Sequence, residues 1–239
     1  MTDRLLIVNA DDLGQSPGID RGIAEAHTRG IVTSGSLMVR WPSAAEAAAM
    51  SGSLDLGLHI DLGEWRFAAG KWTPAYEVVP LLDAEAIERE IAGQLDVFRE
   101  LVGGEPTHLD SHQHVHMKEP VRGILARLAR ELGVPLRGVR SPARYLGDFY
   151  GQTADGVPLH EAITSSALIS LAQRLPEGAT ELGCHPGEDV ELDTMYRSER
   201  ALEVQALCDP SVLAAIEEAG VRLCSFSDLP SPLVPGPAK

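Results

Sequence analysis

The chain has 239 residues, of which 44% are hydrophobic and 23% charged, so it is large enough to form its own core. Its formal net charge of −15 would repel the phosphates of a nucleic acid, and we therefore expect no nucleic-acid partner. The cysteines, Cys184, Cys208 and Cys224, are odd in number and widely spaced, which argues against a disulfide framework and favours a reducing compartment.

The two ends of the chain differ from its middle. Residues 1–14 contain three aspartates and no long apolar stretch, so they predict neither a signal peptide nor a membrane anchor. We interpret the protein as cytoplasmic and not bound to a membrane. Residues 230–239 contain four prolines, and we expect a loose tail there, after a single domain over residues 1–229.

Between the ends, short apolar segments alternate with segments of helical period. The predicted strands cover residues 4–9, 31–39, 55–59, 107–111, 136–140, 179–184 and 221–224. The predicted helices cover residues 18–29, 43–50, 83–102 and 120–132, a segment that ends near residue 175, and residues 209–220. Residues 62–82 and 141–158 show no clear period, so we expect two long loops there.

This alternation predicts an α/β fold, because strands that alternate with helices form parallel sheets through right-handed crossovers. About seven strands are too few for a regular TIM barrel, which has eight. We therefore expect a single-domain (β/α) barrel-like fold of an irregular or incomplete TIM type.

Polar motifs follow four of the predicted strands. In chain order they are Asn9-Ala10-Asp11-Asp12, Gly57-Leu58-His59, His108-Leu109-Asp110-Ser111-His112-Gln113-His114-Val115-His116 and Cys184-His185-Pro186-Gly187-Glu188. Reactive groups of parallel β/α folds lie where the strands meet their carboxyl-terminal loops. We therefore expect the fold to bring the four motifs together at one mouth.

Several imidazoles beside two carboxylates indicate a divalent-metal site. Zinc accepts histidine nitrogen and carboxylate oxygen, and a catalytic site keeps one position open. His59, His112 and one aspartate would supply three ligands. His108 and Asp110 share a strand face with His112, so they would lie deeper as a supporting pair if that face points inward. The pattern does not assign roles to His114 and His116.

Each motif alone also has an ordinary structural explanation. A buried histidine is usually a satisfied core residue, two aspartates after a strand often cap a helix, and histidine clusters can chelate metals at a surface without function. The coincidence of four motifs at four strand ends favours the functional interpretation.

With these motifs the sequence resembles the YdjC-like carbohydrate deacetylases, which include chitooligosaccharide and hopanoid-biosynthesis deacetylases. The matching stretches are residues 6–14, 30–34, 57–59, 107–116 and 184–187, and the closing strand near 221–229 is also similar. The longest stretch, THLDSHQHVH, is the most specific. The sequence departs from the family at Leu13, where phenylalanine is usual, and at Gln113, where histidine is common.

The resemblance implies a β/α barrel-like fold and one divalent metal ion, Mg²⁺ or Zn²⁺, held by Asp12, His59 and His112. By analogy with the wider polysaccharide deacetylases, Asp11 would be the catalytic base, and the segment that begins at Arg140 is similar to one that orients this base. His185 is our candidate for the general acid, since it follows the strand predicted opposite the first one.

The expected activity is metal-dependent hydrolysis of the acetamide of an N-acetylated mono- or oligosaccharide, which releases acetate and a free amine. One alternative is deacetylation of an acylated, lipid-linked intermediate, and another is a phosphoesterase, which often needs two metals and more carboxylates. A third is a catalytically silent sugar-binding protein that uses aromatic residues of the two predicted loops, Trp65, Trp72, Tyr145 and Tyr150. The sequence leaves the oligomeric state open, with a homodimer as one option.

Overall fold

The computed structural model describes residues 3–229, and the proline-rich tail expected over residues 230–239 lies outside the described residues. The strands in this range are β1 (Arg4–Leu13), β2 (Ser34–Leu37), β3 (Asp55–Ile60), β4 (Gly63–Ala68), β5 (Lys71–Glu77), β6 (Leu109–Ser111), β7 (Ala143–Leu146), β8 (Gly178–Cys184) and β9 (Val221–Leu223). The α-helices in the same range are α1 (Pro17–Thr28), α2 (Ala44–Met50), α3 (Ala84–Val102), α4 (Val121–Leu132), α5 (Ser165–Arg174), α6 (Ser198–Leu207) and α7 (Pro210–Glu218).

Seven of the described strands form one parallel sheet in the order β6-β3-β2-β1-β8-β7, with β9 beside the start of β1. The central strand β1 pairs with β8 along one side, and along its other side with β9 and then with β2. The sheet curls into a half-barrel, which confirms the expected α/β, barrel-like fold. Because the strands are parallel, the carboxyl ends of β1, β3, β6 and β8 lie at the same rim.

Two hydrophobic clusters support this rim. The larger one fills the space between the sheet and the outer helices. The smaller one contains Ile7, Ala143, Cys224, Phe226 and Leu229. Ile7 has the same parity in β1 as Asn9 and Asp11, so this cluster lies on the inner face of the sheet, below the polar rim.

Helices α1 and α3 begin at residues whose side chains cap them. Ser16 caps α1, with Pro17 as its first residue, and the Asp83 side chain accepts a hydrogen bond from the Ala86 backbone N–H at the start of α3. Helix α3 ends at Gly103, whose φ of 75° only a glycine adopts without cost. No helix between residues 3 and 229 is long and apolar enough to cross a membrane.

The predicted strand over residues 136–140 is wrong. Only Leu136 pairs with β6, through Leu109, and the chain then turns back so that Leu136 also pairs with Arg140. Gly138, with φ of 62°, permits this tight turn. The strand of this region is instead β7, which lies inside the stretch expected to be a loop.

The loop expected over residues 62–82 is also wrong, because β4 and β5 form an antiparallel hairpin there. The turn of the hairpin lies at Ala69 and Gly70, both with positive φ. Most residues of β5 are exposed, so the sequence lacks the alternation of apolar and polar residues that a half-buried strand shows.

Helix α6 was not predicted. Its buried residues include Glu199, Arg200 and Glu203 beside Val204, Ala206 and Leu207, so its inner face is partly charged and lacks a continuous apolar stripe. A search for apolar residues at helical spacing cannot find such a helix.

Candidate metal and catalytic site

The side chains of Asp11 and Asp12 both lie at the rim because the backbone of β1 is irregular near the end of the strand. Adjacent side chains of a regular strand point to opposite faces. Here the register with β2 shifts between Ala10 and Leu13, and Asp12 adopts a left-handed conformation with φ of 67°. Such a residue costs on the order of 1–3 kcal/mol, and strain of this kind concentrates at functional sites.

Asp12, His59 and His112 form a buried cluster in which one atom of each residue lies within 4.8 Å of the others. The Asp12 Oδ1 atom lies 3.4 Å from His59 Nε2 and 3.0 Å from His112 Nδ1. The structure thus brings together the three residues expected to be metal ligands.

The donor set fits a divalent cation. It offers two imidazoles and one carboxylate, which is the ligand chemistry of a catalytic zinc site with a further position left open. His112 Nε2 is buried and has no hydrogen-bond partner among the described residues, although Glu64 Oε2 lies 3.7 Å away. A buried polar atom without a partner is costly, and a cation bound through Nε2 would relieve that cost, whereas Nδ1 already lies 3.0 Å from Asp12.

The charges of the site also favour a cation. Burial alone lowers the pKa of an imidazole, but the Asp110 carboxylate and hydrogen bonds to Asp110 and Asp12 outweigh it and raise the pKa of His59 to about 10. Burial likewise opposes protonation of His112, and the Asp12 carboxylate raises the pKa of His112 to about 9. Without a metal the two imidazoles therefore hold protons, which a divalent ion would displace.

A chain of hydrogen bonds fixes His59 from behind. His59 Nδ1 donates to Asp110 Oδ1 at 2.8 Å, which leaves Nε2 directed at Asp12. The Ser36 hydroxyl donates to Asp110 Oδ2 at 2.7 Å and lies 3.1 Å from His108 Nε2. His108 in turn stacks on Phe226, with ring centroids 3.8 Å apart. Asp110 and His108 thus take the deeper, supporting positions expected from strand parity.

The arginine that holds Asp11 is Arg137, so the assignment of this role to Arg140 is corrected. Arg137 Nη1 donates to Asp11 Oδ2 at 2.6 Å and Nη2 donates to Asp11 Oδ1 at 2.7 Å. Its guanidinium also forms ion pairs with Asp110 at 2.8 Å and with Glu181 at 2.6 Å. Arg140 is half-buried at the far end of the turn that begins at Leu136. Nothing in the sequence distinguishes the two arginines, which are three residues apart.

Arg137 also lies between two carboxylates of a second possible cation site. A second possible cluster, Asp11, His59 and Asp110, lies beside the first. The guanidinium already sits between its two carboxylates and is fully buried with them. Burial opposes ionisation of Asp11, but the charge of Arg137 outweighs it and lowers the pKa of Asp11, so this carboxylate is ionised at neutral pH.

His185 lies beside Asp11, with its Nε2 atom 3.8 Å from Asp11 Oδ2, because its strand β8 pairs directly with β1 and does not lie opposite it as expected. Its ring packs against the rings of Tyr150 and Tyr196, and its backbone N–H donates to the Glu203 carboxylate. Its Nδ1 atom is buried and has no hydrogen-bond partner among the described residues. Burial lowers the pKa of His185 to about 4, so the imidazole is neutral at pH 7.

Arg200 of α6 is a residue of the site that sequence reasoning missed. Arg200 Nη2 donates to Asp12 Oδ2 at 2.6 Å, and both side chains are buried. Burial opposes ionisation of Asp12, but Arg200 holds the pKa of Asp12 well below its usual value. The only signal that could have found Arg200 is the cluster of charges in a helix that the sequence did not predict.

His116 and His114 follow the candidate ligand His112 in a tight turn. Both ring nitrogens of His116 are satisfied, one by the Ser111 hydroxyl at 2.6 Å and one by the Arg137 carbonyl at 3.1 Å. His114 Nε2 lies 3.3 Å from the Tyr145 hydroxyl. His116 thus supports the backbone of Arg137, while His114 lies beside an aromatic residue of the rim.

The β4–β5 hairpin is attached to the site through Gln113. The Gln113 side chain exchanges two hydrogen bonds of 2.8 Å with the backbone of Trp65. Trp72 of β5 packs edge-to-face on Phe67 and keeps 49% of its surface exposed. Gln113, one of the two departures from the family pattern, therefore has a structural role in positioning the hairpin.

Comparisons with known proteins identify the family of this chain. Residues 5–218 match the family described as YdjC-like protein. A carbohydrate deacetylase from Geobacillus stearothermophilus is 35% identical over 94% of this chain and 98% of its own. A chitooligosaccharide deacetylase from Klebsiella pneumoniae (strain 342) is 34% identical over 95% of this chain and 100% of its own.

Solved structures agree in fold. The crystal structure of an Enterococcus faecalis protein with a proposed role in cellobiose-phosphate cleavage superposes with a TM-score of 0.77 and 27% identity, over 95% of this chain and 98% of that one. A family 4 acetyl xylan esterase from Clostridium thermocellum, solved with a cobalt ion, shares the fold with a TM-score of 0.54 and 13% identity, over 94% of this chain and 89% of that one. The family match and the identity of these relatives over nearly the whole chain show that the protein belongs to the YdjC-like family.

Proposed function

We propose that this protein is a metal-dependent hydrolase that removes the acetyl group from an N-acetylated sugar. The observation that carries the proposal is the buried cluster of Asp12, His59 and His112 beside an ionised Asp11 and a neutral His185. The names of the relatives from G. stearothermophilus and K. pneumoniae supply the substrate class. Their alignment over nearly the full length of both chains supports its transfer to this protein.

The proposed cation site consists of Asp12, His59 and His112. A divalent cation bound there supplies Lewis-acid chemistry, which polarises a carbonyl oxygen and favours the ionisation of water. Two of the three donors are imidazoles, so the set resembles the ligands of zinc more than the oxygen ligands that magnesium prefers.

Asp11 is the proposed general base. Its carboxylate is ionised and fixed in orientation by two hydrogen bonds from Arg137, and it lies one residue from the ligand Asp12. A positioned, ionised carboxylate can accept the proton of the attacking water. The two hydrogen bonds from Arg137 keep the Asp11 carboxylate from rotating. The positive charge of Arg137 keeps this carboxylate unprotonated until the water gives up its proton.

His185 is the proposed proton donor to the departing amine. With a pKa of about 4 it is neutral before the reaction, so it donates only a proton that it gains during turnover. Asp11 Oδ2, 3.8 Å away, is the nearest source, because it accepts the proton of the water. The proton would therefore pass from water through Asp11 and His185 to the amine nitrogen.

Tyr145 and Tyr150 are proposed to border the bound sugar. Tyr145 lies over Arg137, with the guanidinium carbon 4.9 Å from its ring centroid, and Tyr150 stacks on Tyr196 beside His185. Aromatic faces beside a polar site suit the apolar face of a sugar ring.

Two alternatives are less well supported by the geometry. A two-metal phosphoesterase needs a second cation, but the guanidinium of Arg137 already occupies the second carboxylate cluster. A catalytically silent sugar-binding protein does not need a buried aspartate and a histidine 3.8 Å apart, as Asp11 and His185 are here. Deacetylation of a lipid-linked intermediate uses the same site, and the substrate panel below separates it from deacetylation of a free sugar.

The test is acetate release by the zinc-loaded protein from a panel of N-acetylglucosamine, its short β-1,4-linked oligomers, an N-acetylated glycolipid and a sugar phosphate. We expect acetate and a stoichiometric free amine from at least one N-acetylated member, and no phosphate. The Asp11→Asn variant controls for a contaminating deacetylase. Phosphate release, or no acetate from any member, would contradict the proposal.

A further inference from the structure

Helix α6 places one buried cation against the proposed metal ligand. Arg200 Nη2 donates to Asp12 Oδ2. Its Nη1 atom donates to the His185 carbonyl at 3.3 Å, and its Nε atom donates to the Tyr196 carbonyl at 2.9 Å. Both the arginine and the aspartate are buried. The three contacts leave Arg200 without freedom to move away from Asp12.

The contact divides the two oxygens of Asp12 between different partners. Oδ2 is taken by Arg200 at 2.6 Å, while Oδ1 faces His59 and His112 at 3.4 and 3.0 Å. A carboxylate can otherwise bind a metal through both oxygens. With Oδ2 occupied, Asp12 offers a cation one oxygen.

The local sequence accommodates this arrangement. The Arg200 side chain runs along the segment His185-Pro186-Gly187, and a Cβ atom at Gly187 would lie 3.1 Å from Arg200 Cδ. The Gly187 N–H also donates to the Arg200 carbonyl at 3.3 Å. The glycine of this motif therefore makes room for Val190, whose Cγ2 would lie 2.9 Å from such a Cβ atom, and for the arginine, which the motif itself does not contain.

From these contacts we infer that Arg200 is a positioning residue that holds Asp12 as a one-oxygen ligand and offsets its charge, which weakens cation binding and keeps the bound cation more electrophilic. The inference rests on the cation site of the proposed function. A ligand set of two neutral imidazoles and one aspartate carries one negative charge, and Arg200 balances it. Two like charges in a buried site repel strongly, so the arginine opposes the cation that Asp12 attracts.

The experiment measures zinc affinity, by competition with a chromophoric chelator, in Arg200→Met, Arg200→Lys and the control Arg197→Met. Arg197 is exposed and lies at the start of the same helix. We expect Arg200→Met to bind zinc about threefold or more tightly than the parent protein, because the repulsion is gone. Arg200→Lys, which keeps the charge, and Arg197→Met should bind zinc like the parent.

Thermal stability gives a second measurement. Without metal, Arg200→Met leaves Asp12 buried and unpaired, so its melting temperature should fall, and zinc should raise that temperature more than it does for the parent. Its turnover number at saturating zinc should fall at least roughly tenfold, with recovery in Arg200→Lys. A merely structural arginine would not tighten zinc binding.

Two outcomes would overturn the inference: weaker or unchanged zinc binding in Arg200→Met, or a rise in melting temperature with zinc no larger than that of the parent. If Arg200→Met does not refold, zinc affinity of Arg200→Gln replaces it under the same criteria. Failure of the cation site itself has a different signature. In that case His59→Ala and His112→Ala would bind zinc as the parent does.

Discussion

Arg137 donates hydrogen bonds to both carboxylate oxygens of Asp11, at 2.6 and 2.7 Å, and both side chains are buried within the half-barrel. This fork fixes the orientation of the proposed base and keeps it ionised. The same guanidinium also contacts Asp110, the other carboxylate of the second possible cation site. The relation between these two residues thus determines both the chemistry and the metal stoichiometry that we propose.

The first prediction concerns this fork. Arg137→Lys keeps a positive charge but cannot donate to both oxygens of Asp11, so kcat should fall on the order of 10²-fold while zinc content stays stoichiometric. Arg140→Lys is the matched control and should stay within about threefold of the parent. A larger loss of kcat in Arg140→Lys than in Arg137→Lys would instead indicate that Arg140 orients Asp11. Melting temperatures of both variants show whether either change unfolds the protein.

A second prediction concerns the ligands. Replacing His59 or His112 by Ala removes an imidazole ligand. Each variant should therefore hold clearly less than one zinc ion per chain after dialysis against a buffer that contains a trace of zinc. His27→Ala, on the outer helix α1, is the control and should keep it. Metal content by mass spectrometry decides the matter, and full retention in both variants would remove these residues from the site.

A third prediction separates the proton donor from the ligands. His185→Ala should keep its zinc and lose on the order of 10²–10⁴ in kcat, the usual scale for a general acid or base. Asp11→Asn should behave in the same way. A zinc-loaded His185→Ala enzyme with nearly normal kcat would exclude His185 as the donor and favour His114, which lies on the same rim.

The fourth prediction concerns stability against pH. Burial lowers the pKa of His116 to about 4, below its ordinary value of 6.5, so the unfolded chain binds this proton more readily than the folded one. Its contribution to stability is present above about pH 6.5 and is lost as the pH falls towards 4, with a total of up to about 3 kcal/mol. In His116→Gln the free energy of unfolding should fall less steeply between pH 6.5 and 4.5 than in the parent. Equal slopes in urea titrations of the two proteins would contradict the assignment, and His27→Gln serves as the control.

Much of the rim could be predicted from the sequence because strand ends and side-chain parity are local properties. The four polar motifs follow β1, β3, β6 and β8, whose parallel pairing alone brings them together. Parity also predicted that Asp110 lies deeper than His112, and the structure places it behind His59 as the cross-strand partner. No knowledge of loops or helices was needed for these residues.

The parts that were missed depend on contacts between segments far apart in sequence. The choice of Arg137 over Arg140 follows from a turn at Gly138 that replaces the expected strand. Arg200 lies 188 residues from Asp12, on a helix whose buried face carries three charged residues. Neither arrangement leaves a periodic signal in the sequence.

The aromatic residues are a further case. Trp65, Trp72, Tyr145 and Tyr150 were expected to act alike in two loops. In the structure Tyr145 and Tyr150 contact groups of the site, whereas Trp72 lies on the exposed hairpin. Their part in sugar binding stays a prediction, because it depends on which of them face the substrate.

The central claim is that one divalent cation, held by Asp12, His59 and His112, is required for release of acetate from an N-acetylated sugar. Titration of metal-free protein with zinc, with acetate release measured at each step, tests it most directly. We predict negligible release without metal and a linear rise that ends at one equivalent. Full activity in the metal-free protein, or a rise that continues to two equivalents, would contradict the account.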